Sequence, residues 1–174
     1  ITKRLLKKIV KTAKEYEIQL FGDLQCSSQI GNILKFEHFD LISPTERESR
    51  IALYDNENGI EKLANNLLQQ MQLKNLAITL GANGFVAYHK EKDIVLSQHF
   101  PALISNPLDV AGAGDSLLSA MAICLCSGAR IMESALIGTC VAAIAVNHVG
   151  NIPVSNHELC EFLDNLNSQN NHLM

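Results

Sequence analysis

Apolar residues recur with a helical period from Lys3 to Tyr16, where Leu5, Leu6, Ile9, Val10 and Ala13 share one stripe. The lysines and Arg4 of "TKRLLKKIVKTAK" fall on the opposite, polar face. "IQLFGD" (Ile18 to Asp23) is a short apolar run closed by Gly-Asp and predicts a strand. The mixed stretch "SSQIGNILKF" predicts a loop or a helical turn, and "FDLISP" (Phe39 to Pro44) a second strand ended by proline. In "TERESRIAL", Thr45 with Glu48 three residues on has the capping-box spacing that opens a helix. "NENGIEKLANNLLQQM" predicts another helix, and "NLAITLGANG" (Asn75 to Gly84) an apolar strand stopped by a Gly-x-x-Gly turn. "FVAYHKEKDIVLSQHF" divides around the polar tip "KEKD" and predicts a hairpin. Two apolar helices are predicted over Asp115 to Ser127 and Ile131 to His148, then a last helix from about Asn156.

Strands alternating with helices predict an α/β protein with a parallel sheet covered on both faces. In such sheets ligands sit at the carboxyl ends of the strands. "LGANG" and "DVAGAGD" both fall at such positions. At 174 residues the chain has the length of one domain, read as 1–174 without an internal boundary. Composition narrows the function. A net charge of −4 supplies no broad cationic field for nucleic acid, and the basic face of the first helix reads as solvated. Neither a signal-peptide layout nor a long uncharged apolar span is present, so a cytoplasmic protein without membrane contact is expected.

The five cysteines (Cys26, Cys124, Cys126, Cys140, Cys160) match no zinc or redox spacing and read as free thiols. The six histidines show no metal-ligand spacing, and neither a Gly-x-Ser-x-Gly nor a Walker motif occurs. Asp23, at a strand end, either approaches a ligand or caps the following turn.

The chemistry gathers in "DVAGAGDSLLSA". Small residues let the backbone approach a ligand closely, and the first amides of a helix point outward with the dipole behind them. Together these make an anion site. A carboxylate beside bound phosphate is repelled by it, unless Asp115 is there to accept a proton from a nucleophile while the amides hold the charge of a group in transfer. Phosphoryl transfer has that requirement. A plain capped helix with small residues for close packing explains "GAGD" equally well, and the motif by itself leaves both readings open.

Further residues shift the balance. "DVAGAGDSLLSAMA" (Asp109 to Ala122) is similar to the C-terminal signature of the PfkB/ribokinase family of sugar kinases, Asp-Thr-x-Gly-Ala-Gly-Asp before a small and apolar helix. "ITLGANG" resembles the family's strand and turn near the nucleotide phosphates, "LISPTERE" its strand followed by Asn-x-x-Glu, and "VAAIAVNHVGNIPVSNHEL" its closing helix and loop. The pattern "FGDLQCSSQIGN" with "LISPTERE" is similar to branches near the heptose-phosphate kinases. The order agrees over nearly the whole chain.

The resemblance implies a ribokinase-like three-layer sandwich with a mainly parallel sheet, incomplete because only the C-terminal, nucleotide-binding part is matched. The chain opens on a helix without an initiator Met, and a fragment of a longer kinase is expected. ATP-dependent phosphorylation of a hydroxyl on a sugar or sugar phosphate is implied. Asp115 would be the general base, and the amides of Gly112, Ala113 and Gly114 the anion hole. Thr79, Gly81, Ala82 and Gly84 would lie along the phosphates and Thr139 along the adenine. Glu48 and Thr45 would serve Mg²⁺ through water, and Asp109 a monovalent cation such as K⁺. A small-molecule sugar or sugar phosphate is the partner implied, with a homodimer as a candidate assembly and neither nucleic acid nor membrane. Thr45 stands where the family has Asn, and Val110 where it has Thr. The alternative is a nucleotide-binding or assembly half-domain without catalysis, since the sugar-binding and lid segments lie outside the match.

Overall fold

A computed structural model describes residues 1–24 and 33–171, the side chains of 169–171 excepted. Cys26, His172 and all of "SSQIGN" therefore lie outside the described residues. The chain divides into two compact units, Ile1–Phe100 and Pro101–Met174.

The first unit holds the sheet. α1 (Lys3–Glu15) is capped by Thr2, whose hydroxyl accepts the Leu5 amide at 3.3 Å, and it buries Leu6 and Ala13. β1 (Phe21–Gly22), β2 (Leu41–Ile42) and β3 (Asn75–Thr79) pair in parallel; β4 (Phe85–Glu91) and β5 (Ile94–Phe100) follow antiparallel. The order is β1-β2-β3-β4-β5, so the sheet is mixed, its antiparallel edge being the expected hairpin.

β1 and β2 are shorter than the apolar runs that announced them. The Leu20 amide is taken by the Asp40 carboxylate at 2.7 Å instead of by a strand carbonyl. Beyond β2, Pro44 has no N–H to offer, and its carbonyl receives the Thr79 amide at 2.9 Å. Asp23 accepts the amide of its neighbour Leu24 at 2.7 Å.

Two helices follow within the first unit: α2 (Glu46–Leu53) and α3 (Ile60–Gln70). The Thr45–Glu48 capping box is complete at the start of α2. Leu67, Leu68 and Met71 at the end of α3 join Leu76 and Ile78 of β3 and Val86 and Tyr88 of β4 in one core.

The second unit is helical: α4 (Ala113–Cys126), α5 (Ile131–Ala145) and α6 (Asn156–Asn171). α5 is apolar nearly all round, and its buried hydroxyls, Ser134 and Thr139, donate to the carbonyls four residues back, at 3.0 and 2.8 Å. It ends three residues before the expected His148, because the carbonyl of its cap residue Val146 receives the amides of Leu108 and Asp109 at 2.9 and 3.2 Å. α6 starts where expected, with Ser155 and Glu158 exchanging hydrogen bonds across its first turn. Cys124, Cys126, Cys140 and Cys160 are free thiols.

α4 and α5 pack closely at Gly138. A Cβ there would lie 2.8 Å from Leu117 Cδ1, 2.9 Å from Met121 Cγ and 3.3 Å from the Leu117 carbonyl oxygen. Gly138→Val is therefore expected to lower stability by about 1–3 kcal/mol through overpacking, read as a lower denaturant midpoint with unchanged slope.

Candidate active site

α4 begins at Ala113, two residues before Asp115, because Gly112 is its N-cap and gives its carbonyl to the Ser116 amide at 2.9 Å. Gly112 has φ +77°, a left-handed conformation that glycine adopts without strain. The space favours glycine as well. A Cβ at 112 would run into the Asn151 carboxamide, overlapping Oδ1 and lying 2.7 Å from Cγ. At Gly114 a Cβ would meet nothing within 4 Å, so protein packing does not explain that glycine.

The amides of Gly112, Gly114 and Asp115 donate to no protein acceptor among the described residues. The Ala113 amide differs. It points back to the Val110 carbonyl at 3.3 Å, the long end of the N–H···O range, so it is partly engaged. Asp115 lies in the first turn of α4 and is exposed.

Asp109 braces this loop. One carboxylate oxygen accepts the Ala111 amide at 2.9 Å and the other the Gly150 amide at 3.0 Å, across 41 residues of sequence. These backbone donors hold its carboxyl below the usual carboxylate range, the Ala111 amide first and the Gly150 amide second. Because the folded value is depressed, the brace is complete at neutral pH and is lost only as pH falls through that lowered value. Asp109→Ala is expected to free the Gly150 amide, seen as faster hydrogen exchange at Gly150 and Ala111 and unchanged exchange in the middle of α5.

In the first unit, Thr45, Glu48, Thr79 and the "GANG" turn stand at the carboxyl ends of β2 and β3. Thr45 bridges to Thr79, whose hydroxyl sits 3.5 Å from the Pro44 carbonyl oxygen. The turn is a short 3-10 segment, Gly81–Asn83, closed by Leu80 N–H to Gly84 O at 2.7 Å. Gly81 (φ +61°) and Gly84 (φ +82°, ψ −131°) carry its reversal, and the second conformation is open essentially to glycine alone. Ala82 is exposed at its crest. His99 of β5 donates from Nε2 to the Asn83 carbonyl at 2.8 Å and clips the turn, which fixes the tautomer.

Of the residues read from the sequence, Thr139 stands apart. It is buried within α5 with its hydroxyl already donated to the Ala135 carbonyl. Two contributors were not read there at all: Asn151 against Gly112, and His99 behind the turn. Both contacts join segments far apart in sequence, where no periodicity reports them.

A short parallel strand series continued by an antiparallel hairpin, with glycine turns at strand ends and a glycine-opened helix, defines a ribokinase-like α/β fold. The solved structures agree. The chain is similar to phosphofructokinase-2 from Escherichia coli in complex with potassium (TM-score 0.76, 17% identity, 96% of this chain and 53% of that one). It is also similar to ribokinase from Thermotoga maritima (TM-score 0.73, 26% identity, 91% and 53%). Residues 5–158 match the family model of the pfkB family carbohydrate kinases, and the chain belongs to that family. Among curated proteins it is 29% identical over 165 residues to the bifunctional protein HldE of Campylobacter jejuni subsp. doylei, covering 93% of this chain. It is 28% identical over 147 residues to an uncharacterized sugar kinase of Buchnera aphidicola subsp. Schizaphis graminum. The chain spans about a third of that HldE protein, 34%, and about half of the solved kinases. Among the described residues no helix is long and apolar enough to cross a membrane.

Proposed function

We propose that the complete protein transfers the γ-phosphate of ATP to a hydroxyl of a sugar or sugar phosphate, and that this chain carries the base and the anion site. The observation that bears most weight is the opening of α4, where unengaged amides of Gly112, Gly114 and Asp115 stand beside an exposed aspartate. Asp115 removes the proton of the attacking hydroxyl as its oxygen bonds to the γ-phosphorus. The bond from that phosphorus to the β–γ bridging oxygen breaks, and ADP departs with the electron pair. The amides and the helix dipole stabilise the negative charge of the group in transfer. The Ala113 amide, partly held by Val110, contributes less than its neighbours.

Thr79, Gly81, Ala82 and Gly84 are the candidates that offer hydroxyl and backbone groups to the phosphates. Thr139 has a packing role here, its hydroxyl being engaged inside α5. Glu48 is the candidate for Mg²⁺. Among the described residues no three His, Cys, Asp or Glu side chains are placed to cage a metal. Mg²⁺ needs no such cage, since it keeps waters and is held by one or two carboxylates with substrate phosphates. Such an ion would supply charge neutralisation at the phosphates. Asp109 is the candidate for a monovalent cation, its two oxygens facing the Ala111 and Gly150 amides. The resemblance to the heptose-phosphate branch favours a sugar phosphate as acceptor.

The test is the complete protein with Mg·ATP and a panel of sugars and sugar phosphates, following ADP release and acceptor phosphorylation together. Stoichiometric ADP and phosphorylated acceptor are expected. Nucleotide binding without transfer to any acceptor would instead favour a binding or assembly half-domain.

A further inference from the structure

We propose that Thr45 is a positioning residue, holding the Glu48 carboxylate with one oxygen bound and the other presented outward. This rests on the reading of Glu48 as the residue that serves the metal–nucleotide complex. The first turn of α2 contains two carboxylates, and the structure treats them differently. Glu46 is paired with Arg50, whose Nε and Nη2 lie 2.9 and 2.7 Å from the same Glu46 oxygen. Glu48 has one oxygen, Oε2, on the Thr45 amide at 2.8 Å, and its Oε1 takes no protein donor among the described residues. Each carboxylate keeps one oxygen without a protein donor, but among the described residues only Glu46 has its charge paired by a cation, which leaves Glu48 the one with charge to offer a hydrated cation.

Thr45 is itself fixed at every polar atom it has. Its hydroxyl oxygen accepts the Glu48 amide at 3.1 Å. Its carbonyl receives both the amide and the hydroxyl of fully buried Ser49, at 3.0 and 2.9 Å. Its backbone bridges to Thr79, and the preceding Pro44 carbonyl holds the Thr79 amide. One short segment therefore links the Glu48 carboxylate to the end of β3, directly before the Gly81–Gly84 turn. A glutamate on a free helix turn would have to lose rotamer freedom on meeting a ligand, whereas this one has already lost it on folding.

The geometry also accounts for a threonine where the family carries asparagine. Both are N-cap residues whose side-chain oxygen accepts a helix amide. The exchange keeps the cap, and with it the aim of Glu48. With its hydroxyl acceptor in the cap, Thr45 acts through Glu48 rather than as a group on the metal.

The experiment uses the complete protein, Mn²⁺ as a spectroscopic probe bound with nucleotide, and thermal melting in parallel. Thr45→Ala keeps the backbone amide that holds Glu48 Oε2 but removes the hydroxyl that caps the turn carrying it, and is expected to weaken Mn²⁺ binding about 10-fold, the low end of the effect of loosening a ligand's support. Thr45→Ser and Thr45→Asn restore the cap and are expected to restore Mn²⁺ affinity. Glu48→Gln completes a capping box, so its melting temperature should stay at the wild-type value while Mn²⁺ affinity falls at least as far as in Thr45→Ala. A Thr45→Ala variant that melts lower yet binds Mn²⁺ as tightly as wild type overturns the positioning role. If instead Glu48→Gln binds Mn²⁺ normally, the metal assignment of Glu48 fails, and the positioning role with it.

Discussion

Asp115→Asn in the complete protein is expected to lower kcat by about 10²–10⁴-fold, the range that a positioned general base contributes. Nucleotide affinity should be equal to or tighter than that of wild type. The asymmetry follows from where the groups sit. The proposed anion site is backbone, so exchanging a carboxylate for a carboxamide in the first turn of α4 leaves the amides of Gly112, Gly114 and residue 115 in place. The same exchange removes a negative charge beside a triphosphate, which can only favour binding. Steady-state kinetics with calorimetric nucleotide titration separates the two effects. A variant that phosphorylates acceptor at a near-normal rate would mean that Asp115 is not the base.

The second large effect contrasts two glycines two residues apart. Gly112→Ala forces a side chain into φ +77° and against the Asn151 carboxamide, and is expected to cost about 1–3 kcal/mol of stability. Gly114→Ala should behave oppositely. Its methyl meets no protein atom within 4 Å, and alanine is the better helix former by up to about 1 kcal/mol, so the fold should hold or gain. What alanine removes is close approach of a ligand to the backbone. A loss of nucleotide affinity of about tenfold, equivalent to about 1.4 kcal/mol, is expected. Thermal melts beside nucleotide titrations distinguish the two. Unchanged nucleotide affinity in Gly114→Ala would show that this glycine serves no ligand.

The parts of this fold legible in the sequence were those written over a few residues. Thr45 and Glu48 announce their own capping box, and "KEKD" its hairpin tip. The ends of elements were less legible, because distant groups decide them. Asp40 takes an amide that would have extended β1, and the amides of Leu108 and Asp109 claim the carbonyl that closes α5. The site divides in the same way. "GAGD" marked the glycine-opened start of α4, but not that Ala113 turns its amide to Val110 while Gly114 leaves its own free. The brace from Asp109 to Gly150 and the carboxamide of Asn151 over Gly112 depend on chain segments about 40 residues apart. No local pattern in either segment encodes the other.

The central claim is that backbone amides at the opening of α4 receive the phosphoryl group. It is tested most directly by amide ¹H–¹⁵N shifts in the complete protein, comparing adenosine with a non-hydrolysable Mg·ATP analogue. The account predicts that Gly112, Gly114 and Asp115 move strongly with the analogue and little with adenosine, Ala113 moving less than its neighbours. Amides at 112–115 that stay in place while the analogue binds would contradict it.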